Sequence, residues 1–138
     1  KNFIKKTSPV LTPNIPEAEI LTGMKINNLA DMKTAGEKII DLGANFVVLK
    51  GGHMNKPILS DILIGEEVLD QIETQKIETN NTHGTGCTMA SALTAGLAKS
   101  LGIKEAFQKA HFYVNQAIIT SPRFGNGHGP INHSFNIN

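Results

Sequence analysis

Three observations in the 138-residue sequence predict an α/β fold. A helix-patterned segment feeds through a glycine into Phe46-Val47-Val48-Leu49, a continuous apolar run of the kind found in strands buried on both faces of a parallel sheet. A hairpin-like stretch follows that run. Two helical segments after the hairpin complete the order α, α, β, β-hairpin, α, α. With 40% hydrophobic and 18% charged residues, the composition suits one ordinary globular domain or one part of a domain.

The elements follow from local chemistry. Prolines bracket the short apolar core of Pro9-Val10-Leu11-Thr12-Pro13, which suits a strand end turning into a loop. Residues 17–22 read as a short helix with Pro16 in its first turn and Gly23 as its stop. Asn28 caps a second helix over residues 29–42, whose apolar positions 29, 32, 35, 39 and 42 keep helical spacing before Gly43. Beyond the Gly51-Gly52 turn, Ile58-Leu59, Ile62-Leu63-Ile64, a Gly65 turn, and Val68, Gln71-Ile72 and Ile77 read as antiparallel edge strands. Helices are expected over about residues 86–101 and 104–120, separated by Gly102. Residues 123–130 form a glycine-rich loop.

Charge and hydropathy narrow the function. Net charge is +1 with no basic run beyond Lys5-Lys6, which points away from nucleic acid and membrane surfaces as partners. The apolar runs fall far short of the ~18 residues that span a bilayer. Lys1-Asn2-Phe3-Ile4-Lys5-Lys6 has no apolar signal region, and a single cysteine suits a reducing compartment, so a cytoplasmic location is expected. Opening on Lys1 rather than Met is expected of a fragment or a processed product.

The chemistry concentrates in Asn81-Thr82-His83-Gly84-Thr85-Gly86-Cys87-Thr88, a small-residue loop that enters a helix at the only cysteine. First-turn amides lack helical partners and carry the positive end of the macrodipole, and glycines let a phosphate approach them. A thiol in that potential is favoured as thiolate. The plain alternative is a glycine turn with a small cysteine packed inside. Thr82, His83, Thr85 and Thr88 surround the thiol with polar groups and argue against it. The functional reading gives the Thr85, Gly86 and Cys87 amides to a transferring phosphoryl group, with Cys87 as general base.

Three further motifs are weaker alone. In Thr12-Pro13-Asn14-Ile15-Pro16-Glu17-Ala18-Glu19, Asn14 and Glu17 would offer oxygens to Mg²⁺ bound with substrate phosphates, or simply start a helix. In Leu49-Lys50-Gly51-Gly52-His53, Lys50 would meet nucleotide phosphates and Gly51 would permit their approach, or the segment is an ordinary turn. His53 reads as a turn histidine, and the 125–133 tail reads as a plain loop rather than a metal site. No Walker loop and no Rossmann glycine fingerprint occur.

Taken in order, these segments together with Gly127-His128-Gly129-Pro130-Ile131-Asn132-His133 resemble the hydroxymethylpyrimidine/phosphomethylpyrimidine kinases of the ribokinase superfamily. The resemblance implies a ribokinase-like, doubly wound α/β fold, of which residues 1–138 are a single C-terminal portion, the nucleotide-binding and phosphoryl-transfer half. It implies ATP-dependent phosphorylation of 4-amino-5-hydroxymethyl-2-methylpyrimidine and then of its monophosphate. The residues it carries over are Cys87 with Gly84, Thr85 and Gly86 as catalytic, Lys50, Gly51, Asn14 and Thr82 as ATP contacts, and Glu17 for Mg²⁺. It further implies a small-molecule substrate, an N-terminal segment or companion chain that builds most of the pyrimidine pocket, and a homodimer when complete. Two alternatives stay open, a pyridoxal kinase of the same superfamily and a catalytically silent nucleotide-binding fragment.

Overall fold

The computed structural model describes residues 2–52, 57–122, 127 and 129–136. The chain divides into two compact units, Lys1–Lys76 and Ile77–Asn138.

The first unit holds α1 (Asn2–Thr7), β1 (Val10–Leu11), α2 (Ile15–Thr22), α3 (Leu29–Asp41), β2 (Phe46–Leu49), β3 (Ile58–Ile64) and β4 (Val68–Gln75). Its sheet has the order β1-β2-β3-β4. The β1 and β2 strands are parallel, with Val10 opposite Phe46 and Leu11 opposite Val47. The pairs β2–β3 and β3–β4 are antiparallel. The buried strand expected at residues 46–49 is therefore present, but in a mixed sheet, parallel to β1 and antiparallel to β3, and Val47, Val48 and Leu49 are fully buried.

The hairpin is corrected in one respect. Of the two hairpin strands only β4 lies at an edge of the described sheet, because β3 lies between β2 and β4 and its Ile62, Leu63 and Ile64 are fully buried. The helix α3 packs on β2 and β3, and Gly36 permits it, since a Cβ there would overlap Ile64 Cδ1. Ala18, Met32, Ala35, Ile39, Val47, Leu49, Ile62 and Ile64 share one apolar core with Ile4 and Ile15. The α1 helix was not expected; six residues are too few to show helical periodicity.

Glu19 ties α2 to the segment that follows it. Its Oε1 accepts the Ile26 N–H at 2.9 Å and its Oε2 accepts Lys25 Nζ at 3.0 Å. These bonds, the Ile26 amide first and the Lys25 ammonium second, hold the Glu19 carboxyl below the ordinary glutamate value. A depressed carboxyl contributes stability that is present above the ordinary value and is lost as pH falls through the depressed one. Glu19→Gln is therefore expected to lower the melting temperature at neutral pH. The difference from the parent should shrink on acidification below the glutamate range, and thermal melts at several pH values check this.

The second unit is built on α4 (Thr85–Ala98) and α5 (Ile103–Ile119). They cross closely at Gly96, where a Cβ would sit 3.0 Å from Ala106 Cβ. The α4 helix ends at Ala98 rather than near residue 101, because Ser100 turns left-handed (φ 62°) and the Leu101 N–H returns to Gly96 C=O at 3.2 Å. Met89, Leu93, Ala106, Phe107 and Ala110 are buried, and so is Ile131 of the C-terminal segment.

Candidate active site

In the first unit, β1 and β2 end side by side at residues singled out above. Asn14 forms a parallel bridge with Lys50, whose N–H donates to Pro13 C=O at 3.0 Å. Asn14, Glu17, Lys50 and Gly51 thus gather at the carboxyl ends of two parallel strands, the edge where open α/β sheets receive ligands. Asn14 and Glu17 form a reciprocal cap. Asn14 Oδ1 accepts the Glu17 N–H at 2.9 Å, and Glu17 Oε2 accepts the Asn14 N–H at 2.8 Å. Both side chains therefore serve the start of α2, and the Asn14 amide oxygen is turned onto the helix.

Mg²⁺ is satisfied by one or two carboxylates when phosphates and waters complete its octahedron. The exposed Glu17 carboxylate keeps Oε1 outside the cap, so this one carboxylate suits an ion carried in by phosphates. No cluster of three or more metal-ligating side chains occurs among the described residues.

Gly51 has a different reason than the sequence suggested. A Cβ at this position would overlap the Ser60 carbonyl oxygen and lie 3.1 Å from its carbon. The Gly51 N–H is also bound to Asp61 Oδ1 at 2.8 Å. The close approach that requires glycine is thus that of β3. Lys50 is partly buried at the strand end, and His53 lies outside the described residues.

An open groove of about 440 Å³ runs along Leu11, Thr12, Pro13, Glu17, Ile20 and Leu21, with Ile20 83% exposed. Its walls are apolar apart from Glu17 and Thr12. A polyphosphate finds no cation among them, so the groove suits an apolar cover better than a nucleotide.

In the second unit, the loop before α4 leaves the helix start without a side-chain cap. Gly84 is the N-cap in a left-handed conformation (φ 89°), with no side chain to cap the helix and open space where a Cβ would point. The first helical bond runs from the Thr88 N–H to Gly84 C=O at 2.9 Å, and Thr88 Oγ1 donates to the same oxygen at 2.8 Å. The Thr85 N–H and Oγ1 both donate to Thr82 C=O, at 3.3 and 3.1 Å. Thr85 is thereby withdrawn from the expected set of three amide donors. Gly86 and Cys87 remain, at helical positions whose amides have no intrahelical acceptor. Cys87 is exposed, which sets aside the buried-thiol alternative, and Thr82 and His83 beside it are exposed as well.

Contacts invisible in the sequence pattern hold this loop. His83 bridges Pro130 in parallel and donates its N–H to Gly129 C=O at 3.3 Å. Asn81, 6% exposed, donates Nδ2 to Ser121 Oγ at 3.3 Å. Of the tail motif, residues 123–126 and 128 lie outside the described residues.

The Bacillus subtilis pyridoxal kinase, solved as an ADP complex, superposes with a TM-score of 0.87 at 37% identity over 96% of this chain and 53% of its own. The phosphomethylpyrimidine kinase of Clostridium difficile gives 0.66 at 41% identity over 85% and 47%. The fold is that of the ribokinase-like α/β kinases. Residues 1–132 match the phosphomethylpyrimidine kinase family, and the chain belongs to that family. A curated relative, the hydroxymethylpyrimidine/phosphomethylpyrimidine kinase of Bacillus subtilis, is 44% identical over 96% of this chain and 49% of its own length. The chain spans about half the length of the curated relatives it matches.

Proposed function

We propose that residues 1–138 form a single C-terminal portion of a ribokinase-like kinase domain, its nucleotide-binding and phosphoryl-transfer half. The reaction moves the γ-phosphoryl group of ATP to the hydroxymethyl oxygen of 4-amino-5-hydroxymethyl-2-methylpyrimidine, and then extends its monophosphate. The observation that carries this reading is the open helix start at Gly86 and Cys87, with an exposed thiol, in a chain of this family.

The residues divide the work. The Gly86 and Cys87 amides donate to the non-bridging oxygens of the transferring group, at the positive end of the α4 macrodipole. Cys87 Sγ, as thiolate, takes the hydroxyl proton while the substrate oxygen bonds to phosphorus and the bond to the ADP oxygen breaks. Thr82 orients the loop through its carbonyl, and Lys50 supplies a cation for nucleotide phosphates. When bound, Mg²⁺ would neutralise phosphate charge, with the Glu17 carboxylate to hold it. The complete enzyme needs an N-terminal segment or companion chain and is a homodimer in the cytoplasm. The half-length coverage of relatives and the apolar groove beside β1 support the first of these. No helix among the described residues is long and apolar enough to cross a membrane.

A pyridoxal kinase is the second reading, favoured by the higher TM-score to a structure of that name. Against it stand the family match and the curated relative. A side-by-side assay of the assembled enzyme with ATP and each alcohol decides between them. Faster phosphorylation of the hydroxymethylpyrimidine is expected. Pyridoxal as the better substrate would reverse the assignment, and no transfer to either would leave a silent fragment.

A further inference from the structure

The C-terminal segment 129–136 has no part in the chemistry proposed above, yet it reaches the loop that carries the chemistry. Its Gly129 carbonyl accepts the His83 N–H at 3.3 Å, one residue before the N-cap of α4. Ile131 is 3% exposed. The Asn132 N–H donates to Ala117 C=O at 2.9 Å, and Asn132 Oδ1 accepts the Ser134 N–H at 3.0 Å. Tyr113 Oη donates to His133 C=O at 2.7 Å, and its ring lies 5.0 Å from that of Phe135. Tyr113 and Ala117 are four residues apart, on one face of α5. Two bonds one helical turn apart thus fix residues 132–133 to α5, and the chain leading into them fixes His83. A loop whose N-cap is a left-handed glycine without a capping side chain has little local stiffness of its own.

We infer that residues 129–135 are a strap that positions the Gly84–Cys87 phosphate loop, and that the Tyr113 hydroxyl is its positioning residue. This rests on the phosphoryl-transfer reading of that loop. Tyr113 touches neither Cys87 nor the Gly86 amide; it acts through His133, Gly129 and His83.

The test uses the assembled kinase, amide hydrogen exchange, and protection of Cys87 from iodoacetamide by the ATP analogue AMP-PCP. Tyr113→Phe keeps the ring against Phe135 and removes only the hydroxyl. Exchange at the His83 amide is expected to rise about fivefold, the effect of one hydrogen bond, and AMP-PCP protection of Cys87 to weaken by a similar factor. Amides of Ala110 and Val114 within α5 should keep their parental rates. Phe135→Leu, which retains the hydroxyl, should leave His83 within about twofold of the parent. Unchanged His83 exchange in Tyr113→Phe overturns the strap. Raised exchange with parental protection overturns the positioning role, and an equal rise in Phe135→Leu overturns the assignment to the hydroxyl. Absence of protection in the unaltered assembled kinase overturns the phosphoryl-site reading itself, a failure seen before any substitution is made.

Discussion

Cys87→Ala is expected to lower kcat of the assembled kinase by about 10²–10⁴-fold while leaving the KM for ATP nearly unchanged. The substitution removes the proton acceptor and keeps everything else the site uses. The residue-87 amide stays in place, and alanine is a better helix former than cysteine at a helical position. Cys87 is exposed, so its loss opens no cavity and the melting point should stay close to the parent's. A drop in kcat at constant ATP affinity means that the lost interaction belonged to the transition state. Steady-state kinetics with ATP and hydroxymethylpyrimidine check the result. Unchanged turnover would remove Cys87 from the base role and leave the amides as the loop's contribution.

Gly51→Ala carries the second large effect, and it falls on folding. The new methyl group would meet the Ser60 carbonyl in the middle of the sheet, where Ser60 pairs with Glu73 of β4. Neither side yields easily, because the Gly51 N–H is fixed to Asp61 and the Ile62–Ile64 segment of β3 is fully buried. Overpacking of this kind costs about 1–3 kcal/mol, and a clash with backbone belongs at the upper end. Chemical denaturation should show that loss. If stability were instead unchanged while the KM for ATP rose, the glycine would serve nucleotide approach, as the Lys50-Gly51 motif first suggested.

The two glycine motifs show what the sequence could and could not disclose. Punctuation by Gly23, Gly43 and Gly102, and the cap at Asn28, were readable because each acts within four residues. The buried run at residues 46–49 was readable because a strand covered on both faces needs no alternation. The internal position of β3 was not. Ser60 and Asp61 interrupt its apolar run, and the Asp61 carboxylate is spent on the Gly51 amide ten residues away. Asn14-x-x-Glu17 shows the ambiguity most plainly, since one pair of side chains is both a capping box and the expected metal motif. Thr85 shows the limit at atomic scale. Its place in the loop suggested an amide donor, but whether that N–H faces a ligand or the Thr82 carbonyl depends on backbone dihedrals that no spacing encodes. The hold of Gly129 on His83 lay further still from pattern, across 46 positions of sequence.

In the proposed reaction the start of α4 holds the transferring phosphoryl group through two amides. Titration of the assembled kinase, ¹⁵N-labelled in residues 1–138, with AMP-PCP tests this most directly, read at the individual amide resonances of the loop. Saturable shifts largest at Gly86 and Cys87, with Thr85 displaced far less, are the predicted result. Shifts confined to other segments, or equal movement of Thr85 with its neighbours, would contradict it.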